Sequence, residues 1–265
     1  MAKIQNPMEI FKLFDKSNCR KCNEATCLAF SVAVFQGKRE LAECPSLSPD
    51  IVSGYSGSEK TKTIEQEADE TMVHLQQEVE KIDLATTAPR IGGTYAKGKL
   101  TVKIMGKDFS VDDKGGITTD IHVHQWVAGP VLNYILNNGE GHVVGNWVPL
   151  RELKGGKDWY RLFGQRCEKP LKKVADTYTD LFDDMVHLFG GHQVERHFES
   201  DISVVLNPLP NLPVLICYWK PEDGLASDLH LFFDEAAEDN LNIESIYTLG
   251  AGLALMFEKL AHRHG

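Results

Sequence analysis

The chain has 265 residues, with 28 Lys+Arg against 38 Asp+Glu, a net charge of −10, 42% apolar residues, 9% aromatics and 6 Cys. That length allows one large domain or two smaller ones, and the apolar content excludes a disordered chain. The acidic balance excludes nucleic acid or an anionic membrane as the main partner.

The opening stretch MAKIQNPMEIFKLFDK has no apolar run of ~7–15 residues, so it does not read as a secretory signal. Asn6, Pro7 and Glu9 predict a helix start, with an Asn cap, Pro at the first helical position and an acid at the third. Ile10, Phe11, Leu13 and Phe14 give that helix its apolar face. A cysteine-bearing loop follows, and residues 28–36 predict a second helix stopped by Gly37. The first 45 residues hold seven Lys+Arg against five Asp+Glu, a charge of +2 that leaves −12 for the remainder. Residues 46–60, SLSPDIVSGYSGSEK, read as a linker. Ile64, Ala68, Met72, Leu75, Val79 and Ile82 then recur at spacings of four and three, the pattern of an amphipathic packing helix.

Beyond Gly92 the period changes. Leu100, Val102 and Ile104 alternate, Gly106 and Lys107 predict a turn, and Phe109 and Val111 alternate again, which makes a hairpin. Residues 126–137 predict a helix. One long helix is expected over 171–189, with Val174, Tyr178, Leu181, Phe182 and Met185 inward and Gly190-Gly191 as its stop. Strands are expected at 201–206, 213–219 and 228–233, and a final helix at 243–261. The longest apolar run, residues 249–257, is far short of the ~20 residues a membrane-spanning helix needs. The expectation is a soluble, cytoplasmic protein. Helices and strands in mixed order without repeated βαβ units predict an α+β fold. A small helical domain over 1–50 is followed by a linker and amphipathic helix over 51–90, then a mixed α+β domain over 91–265.

Four of the six cysteines lie between positions 19 and 44. Cys19, Cys22, Cys27 and Cys44 have the spacing C-x2-C-x4-C-x16-C, and Pro45 follows at once. Three thiolates from one short loop can wrap three corners of an iron–sulfur cubane, with the fourth arriving from a separate element. Phe14, Leu28, Phe30 and Leu47 would keep water from it. Four ligands leave no open iron, so one-electron transfer is the chemistry such a set supports. Four thiolates also suit a structural zinc, which more often uses two paired C-x2-C knuckles. Disulfides are disfavoured in a reducing compartment.

The stretch from Ile10 to Ser48 resembles the small iron–sulfur domain at the N-terminus of the large subunit of the corrinoid iron–sulfur protein. The residues that carry the resemblance are the Leu/Phe-rich helix, Asn18-Cys19, Thr26-Cys27, the Ala-rich helix, Gly37-Lys38 and Cys44-Pro45. The resemblance implies that Cys19, Cys22, Cys27 and Cys44 ligate a 4Fe-4S cluster which passes low-potential electrons to a cobalamin-type corrinoid. The chain departs from that family at Arg20 and Asn23, where the family often has Gly. Residues 91–265 resemble a domain family of unknown function, known mainly from anaerobes and often fused to this module. Gly145-Asn146-Trp147-Val148-Pro149, Arg151-Glu152-Leu153, Leu188-Phe189-Gly190-Gly191 and Leu231-Phe232-Phe233-Asp234 are among the residues that carry it.

Other candidates in the larger domain are weaker. His122 and His124 place two imidazoles on one face of an extended segment, able to serve as axial or metal ligands, and Trp126 could stack on a planar tetrapyrrole; the alternative is a solvent-facing pair. Asp184, His187 and Gly190 approach the corrinoid signature Asp-x-His-x-x-Gly with one residue too many, and a His near a helix end is favoured by the dipole alone. Asp176, Asp180 and Asp183 read as a solvated helix face, and Asp234 with Glu235, Glu238 and Asp239 as a helix start. Cys217 reads as a small buried hydrophobe, and Cys167 has no adjacent His to make it a nucleophile. The function expected from these residues is an iron–sulfur redox protein that serves a corrinoid-dependent enzyme or another redox partner protein. The alternative is a non-catalytic accessory module whose cluster is structural or redox-sensing and which docks an enzyme of one-carbon metabolism.

Overall fold

In the computed structural model, which describes residues 6–54, 64–121, 125–137, 142–178 and 180–264, the chain divides into two compact units, Met1–Glu70 and Thr71–Gly265. The first helix, α1 (Pro7–Phe11), starts as its residues dictate, with the Asn6 side chain accepting a hydrogen bond from the Glu9 N–H at 3.2 Å. The second, α2 (Cys27–Phe35), is capped by Thr26, whose hydroxyl accepts from the Ala29 N–H at 3.0 Å. Gly37, at φ 68°, ends it: the Gly37 N–H bonds the Val34 carbonyl and the Lys38 N–H the Ala33 carbonyl, the paired closure that needs a left-handed residue. Ile10, Phe14, Phe30, Val34 and Leu41 make the unit's core, with the Phe14 and Phe30 rings 5.5 Å apart. A 3-10 turn (Leu41–Glu43) carries the chain back. The stretch expected to be linker forms one short helix in part, α3 (Pro49–Gly54), with Asp50 in its first turn; residues 55–60 of it lie outside those described.

The larger unit begins within α4 (Ile64–Val79), which buries Leu75 and Val79 at the spacing expected of an amphipathic helix. α5 (Leu84–Arg90) follows, capped by Asp83. A four-stranded antiparallel meander comes next: β1 (Thr94–Ala96), β2 (Lys99–Ile104), β3 (Lys107–Asp112) and β4 (Ile117–Thr119), in that order. Its central turn is Met105-Gly106, both left-handed, one residue earlier than expected, because Ile104 pairs directly with Lys107. α6 (Gln125–Leu136) then crosses to β5 (Trp147–Pro149). α7 (Gly156–Phe163), a π-helical turn (Gly164–Glu168) and α8 (Lys169–Thr177) follow, then α9 (Leu181–His187). β6 (His192–Gln193), β7 (Ile202–Leu209), β8 (Leu212–Trp219) and β9 (Asp228–Asp234) form with β5 a second antiparallel sheet in the order β5-β9-β8-β7-β6. α10 (Ala237–Asn240) and α11 (Ile243–His264) close the chain. The fold is α+β, as expected.

Alternation divides the second sheet cleanly. Val204, Leu206, Val214, Ile216, Leu231 and Phe233 face the main core shared with α6 and α11, whereas Val205, Leu215 and Cys217 face a smaller one with Trp147, Trp219 and Phe232. Tyr134 of α6 ties the parts together: its hydroxyl donates to the Ile91 carbonyl at 2.8 Å and accepts from the Asn211 N–H at 3.2 Å. Burial pushes that phenol up to about 12.

The single helix expected over 171–189 is two helices. Tyr178 takes extended backbone, φ −111° and ψ 99°, and its hydroxyl donates to Asp184 at 2.6 Å. The Thr177 hydroxyl donates to the Lys173 carbonyl, a competition that weakens a helix end. Asp176 lies on an exposed face, as expected, and is also a fastening point: its carboxylate accepts from Lys172 at 2.7 Å, Tyr218 at 2.9 Å and Ser227 at 2.6 Å. Asp234 is buried rather than a solvated helix start, and accepts backbone N–H bonds from Val144, Gly145 and Ala236 at 3.1, 2.6 and 3.0 Å.

Candidate metal centre

The cysteine loop is shaped by left-handed residues. Lys16, Asn18, Arg20 and Asn23 have φ of 59°, 51°, 60° and 60°, so four of eight consecutive residues curl the chain back on itself. Asp15 begins the loop by accepting from the Ser17 N–H at 3.1 Å and its hydroxyl at 2.9 Å. Arg20 and Asn23, where the resembling family often has Gly, keep the backbone conformation that Gly takes readily.

Asn18 secures the fold-back. Its side-chain oxygen accepts from the Cys27 N–H at 2.8 Å, across nine residues, so Cys27 sits at the first turn of α2 between two side-chain caps. Cys22, Cys27 and Cys44 are 9%, 8% and 6% exposed and belong to the same apolar cluster as Phe14 and Phe30; Cys19 is exposed. Cys44 arrives from the 3-10 turn, with its sulfur 3.1 Å from the Ser46 hydroxyl. Leu47 packs against the cluster, whereas Leu28 is turned outward and 45% exposed. None of the six cysteines is paired in a disulfide. Among the described residues, no group of three or more His, Cys, Asp and Glu side chains stands at metal-holding spacing. The fit to an iron–sulfur cluster therefore rests on the donor set: four soft sulfur ligands, three of them in one apolar pocket of the small unit.

In the larger unit His122 and His124 lie outside the described residues. Trp126 is half-buried in the first turn of α6, where that helix comes close to α11: a Cβ on Gly252 would lie 3.3 Å from the Trp126 Cβ. Asp184 is engaged by Tyr178, whose phenol that bond pushes up to about 12, while His187 is exposed at the end of α9. Burial pushes the thiols of Cys167 and Cys217 up, with the Glu168 charge adding to the effect at Cys167. Neither suits a nucleophile.

Three working residues have fastening roles that the sequence motifs do not indicate. Asn18 could have been flagged as a side-chain cap by its place just before the first cysteine. Asp176 and Asp234 could not, because their partners are brought together only by the sheet.

A family model described as "Putative Fe-S cluster" matches residues 15–46. A stretch of 43 residues is similar to the acetyl-CoA decarbonylase/synthase complex subunit gamma of Methanothermobacter thermautotrophicus, 44% identical over 16% of this chain and 9% of that protein. The Methanosarcina acetivorans subunit is 38% identical over 17% and 10%, and that of Methanocaldococcus jannaschii 28% identical over 29% and 19%. The chain thus spans a fifth or less of the length of these curated relatives. No solved structure matches, and no helix among the described residues is long and apolar enough to cross a membrane. A second family model covers residues 83–256, well over half of the chain, and the protein belongs to that family, the domain of unknown function DUF3786.

Proposed function

We propose that Cys19, Cys22, Cys27 and Cys44 ligate one 4Fe-4S cluster, from which the protein passes single low-potential electrons to an acceptor in or docked on the α+β unit. The observation that carries this reading is that three of the four thiols share one buried apolar cluster with Phe14 and Phe30. The match of the "Putative Fe-S cluster" family model to residues 15–46, and the chain's partial similarity to gamma subunits of the acetyl-CoA decarbonylase/synthase complex, support it. Such a cluster supplies reversible one-electron transfer and no bond-making of its own. The chain's residues do the rest. Asn18 holds the backbone at Cys27, Phe14 and Phe30 exclude water from the sulfurs, and the basic balance of the first 45 residues offsets the thiolates' negative charge. The proposed acceptor is a corrinoid such as cobalamin, or another tetrapyrrole, with His122, His124 and Trp126 as its contacts; a redox partner protein or corrinoid-dependent enzyme is the proposed partner.

Anaerobically purified protein is expected to be brown, to contain iron and acid-labile sulfide in equal amounts near four per chain, and to lose both on Cys27→Ala. Colourless protein with one zinc per chain overturns the cluster. A second reading is favoured by the relatives' names, which describe subunits of a multi-subunit complex: an accessory module that docks an enzyme through a structural or sensing cluster. Anaerobic titration with cobalamin separates the two. Reduction of the cobalt by the dithionite-reduced protein, weakened in His122→Ala or His124→Ala, supports electron delivery; an unchanged cobalamin spectrum favours the accessory role.

A further inference from the structure

The second sheet is incompletely paired along one edge. β5 meets β9 only at Trp147↔Asp234, Val148↔Phe233 and Pro149↔Phe232. Pro149 has no N–H to continue the ladder, and the chain turns away through Leu150–Glu152. From Leu231 back to Asp228, β9 therefore has no strand on that side among the described residues. The helical run from α7 to α8 comes up to it instead, and its π-helical turn, Gly164–Glu168, brings Glu168 to the open edge. The Glu168 carboxylate accepts from the Leu231 N–H at 3.2 Å and pairs with His230 Nδ1 at 3.2 Å.

The gap between these elements is a pocket of about 500 Å³, a size suited to a small molecule. Its walls combine two chemistries. Leu150, Phe163 and the Tyr160 ring supply apolar surface, and Arg151, Arg161 and Lys169 supply positive charge. The one carboxylate in the lining, Glu168, is already committed to the strand edge and to His230. With His230 neutral the lining carries +2, in a chain whose net charge is −10. Arg151 has only a 4.0 Å approach to the exposed Glu152, a pairing of little worth in water. An acidic protein that gathers three cations around an apolar hollow has built the reverse of its own surface.

We propose that this pocket, independent of the iron–sulfur segment, binds a small organic oxyanion: a carboxylate or phosphate ester with a flat or apolar body. The guanidinium groups of Arg151 and Arg161 offer the planar forks that match either oxyanion, Lys169 adds a point charge, and the apolar wall takes the body. His230, with Trp219 and Phe232 beside it on the strand face, reports occupancy from the floor.

The test uses the full-length chain and three probes, namely inorganic phosphate, phenyl phosphate and phthalate. Saturable shifts of the His230 imidazole signals are expected, with phenyl phosphate or phthalate binding more tightly than inorganic phosphate; which of the two binds better identifies the oxyanion. Arg161→Gln combined with Lys169→Gln is expected to weaken binding about tenfold or more. Both side chains are exposed, so the variant's unfolding midpoint serves as the check on folding. Lys103→Gln, on the other sheet, is expected to leave binding unchanged. Absence of saturable binding by all three probes at millimolar concentration overturns the proposal. So does equal weakening by Lys103→Gln, which would reduce the effect to general charge.

Discussion

Arg20 and Asn23 show how a backbone requirement can outlast the residue best suited to it. A non-glycine residue in the left-handed region carries a cost of roughly 1–2 kcal/mol, less for Asn. Arg20 at φ 60° bears that cost in full. Arg20→Gly is therefore expected to stabilise the small unit by up to roughly 1 kcal/mol, part of the relief being offset by glycine's greater freedom when unfolded. Denaturant midpoints of the anaerobic protein measure it, and a lower midpoint for the glycine variant would refute the strain. His230 belongs to the same scale. Its hydrogen bond to Glu168 raises its pKa, burial opposes the rise, and the charges of Glu168 and Asp228 add to it. Stability from this pairing is full below the ~6.5 of an unfolded histidine and is lost as pH climbs through the higher folded value. NMR titration of the imidazole should give a midpoint above 6.5 in the native chain, falling in Glu168→Gln.

At the scale of elements, two carboxylates, Asp176 at the surface and Asp234 in the interior, do what no sequence period could indicate. Asp176 joins α8 to β8 and to the approach to β9 through Tyr218 and Ser227. Burial pushes its carboxyl up, and the hydrogen bonds from Lys172, Ser227 and Tyr218 outweigh that and hold it below the usual carboxylate range. Its contribution is present above the unfolded aspartate's ~3.9 and lost as pH falls through the lower folded value. Asp176→Asn should cost about 1–3 kcal/mol at neutral pH and less in acid, a difference that denaturation curves at both pH values resolve. Asp234 fastens the chain entering β5 by accepting from Val144 and Gly145. Asp234→Ala is expected to speed hydrogen exchange at those two amides and in β5 while β7 and β8 stay protected; uniform exchange throughout the sheet would mean global destabilisation instead. The break between α8 and α9 has the same origin, since Tyr178 leaves the helix to reach Asp184 although its apolar ring suits the inward face on which the sequence places it.

For the whole molecule, the two units each have a core of their own, one built on Ile10, Phe14 and Phe30, the other on the two sheets with α6 and α11. Loss of the proposed cluster ligands should therefore leave the larger unit standing. Cys44→Ala in the full chain is expected to abolish visible absorption and lower the first unfolding transition, without moving the transition that reports the tryptophans, all of which lie at or beyond Trp126. Parallel loss of both transitions would show that the cluster supports the whole chain.

Local chemistry along the chain already settles a good deal. The Asn6 cap, the Gly37 stop, the alternating strands, the amphipathic α4 and the cysteine spacing all depend on interactions within a few residues, or on a period of 2 or 3.6, and such patterns survive in one dimension. Tertiary structure alone decides which three thiols are buried, why Asp176 and Asp234 are held, where the helix over 171–189 breaks, and that Arg151, Arg161 and His230 surround one pocket. Those outcomes depend on pairings across tens of residues, such as Asp176 with Ser227 or Glu168 with His230. Such pairs exist only once the fold has brought both partners within hydrogen-bond distance.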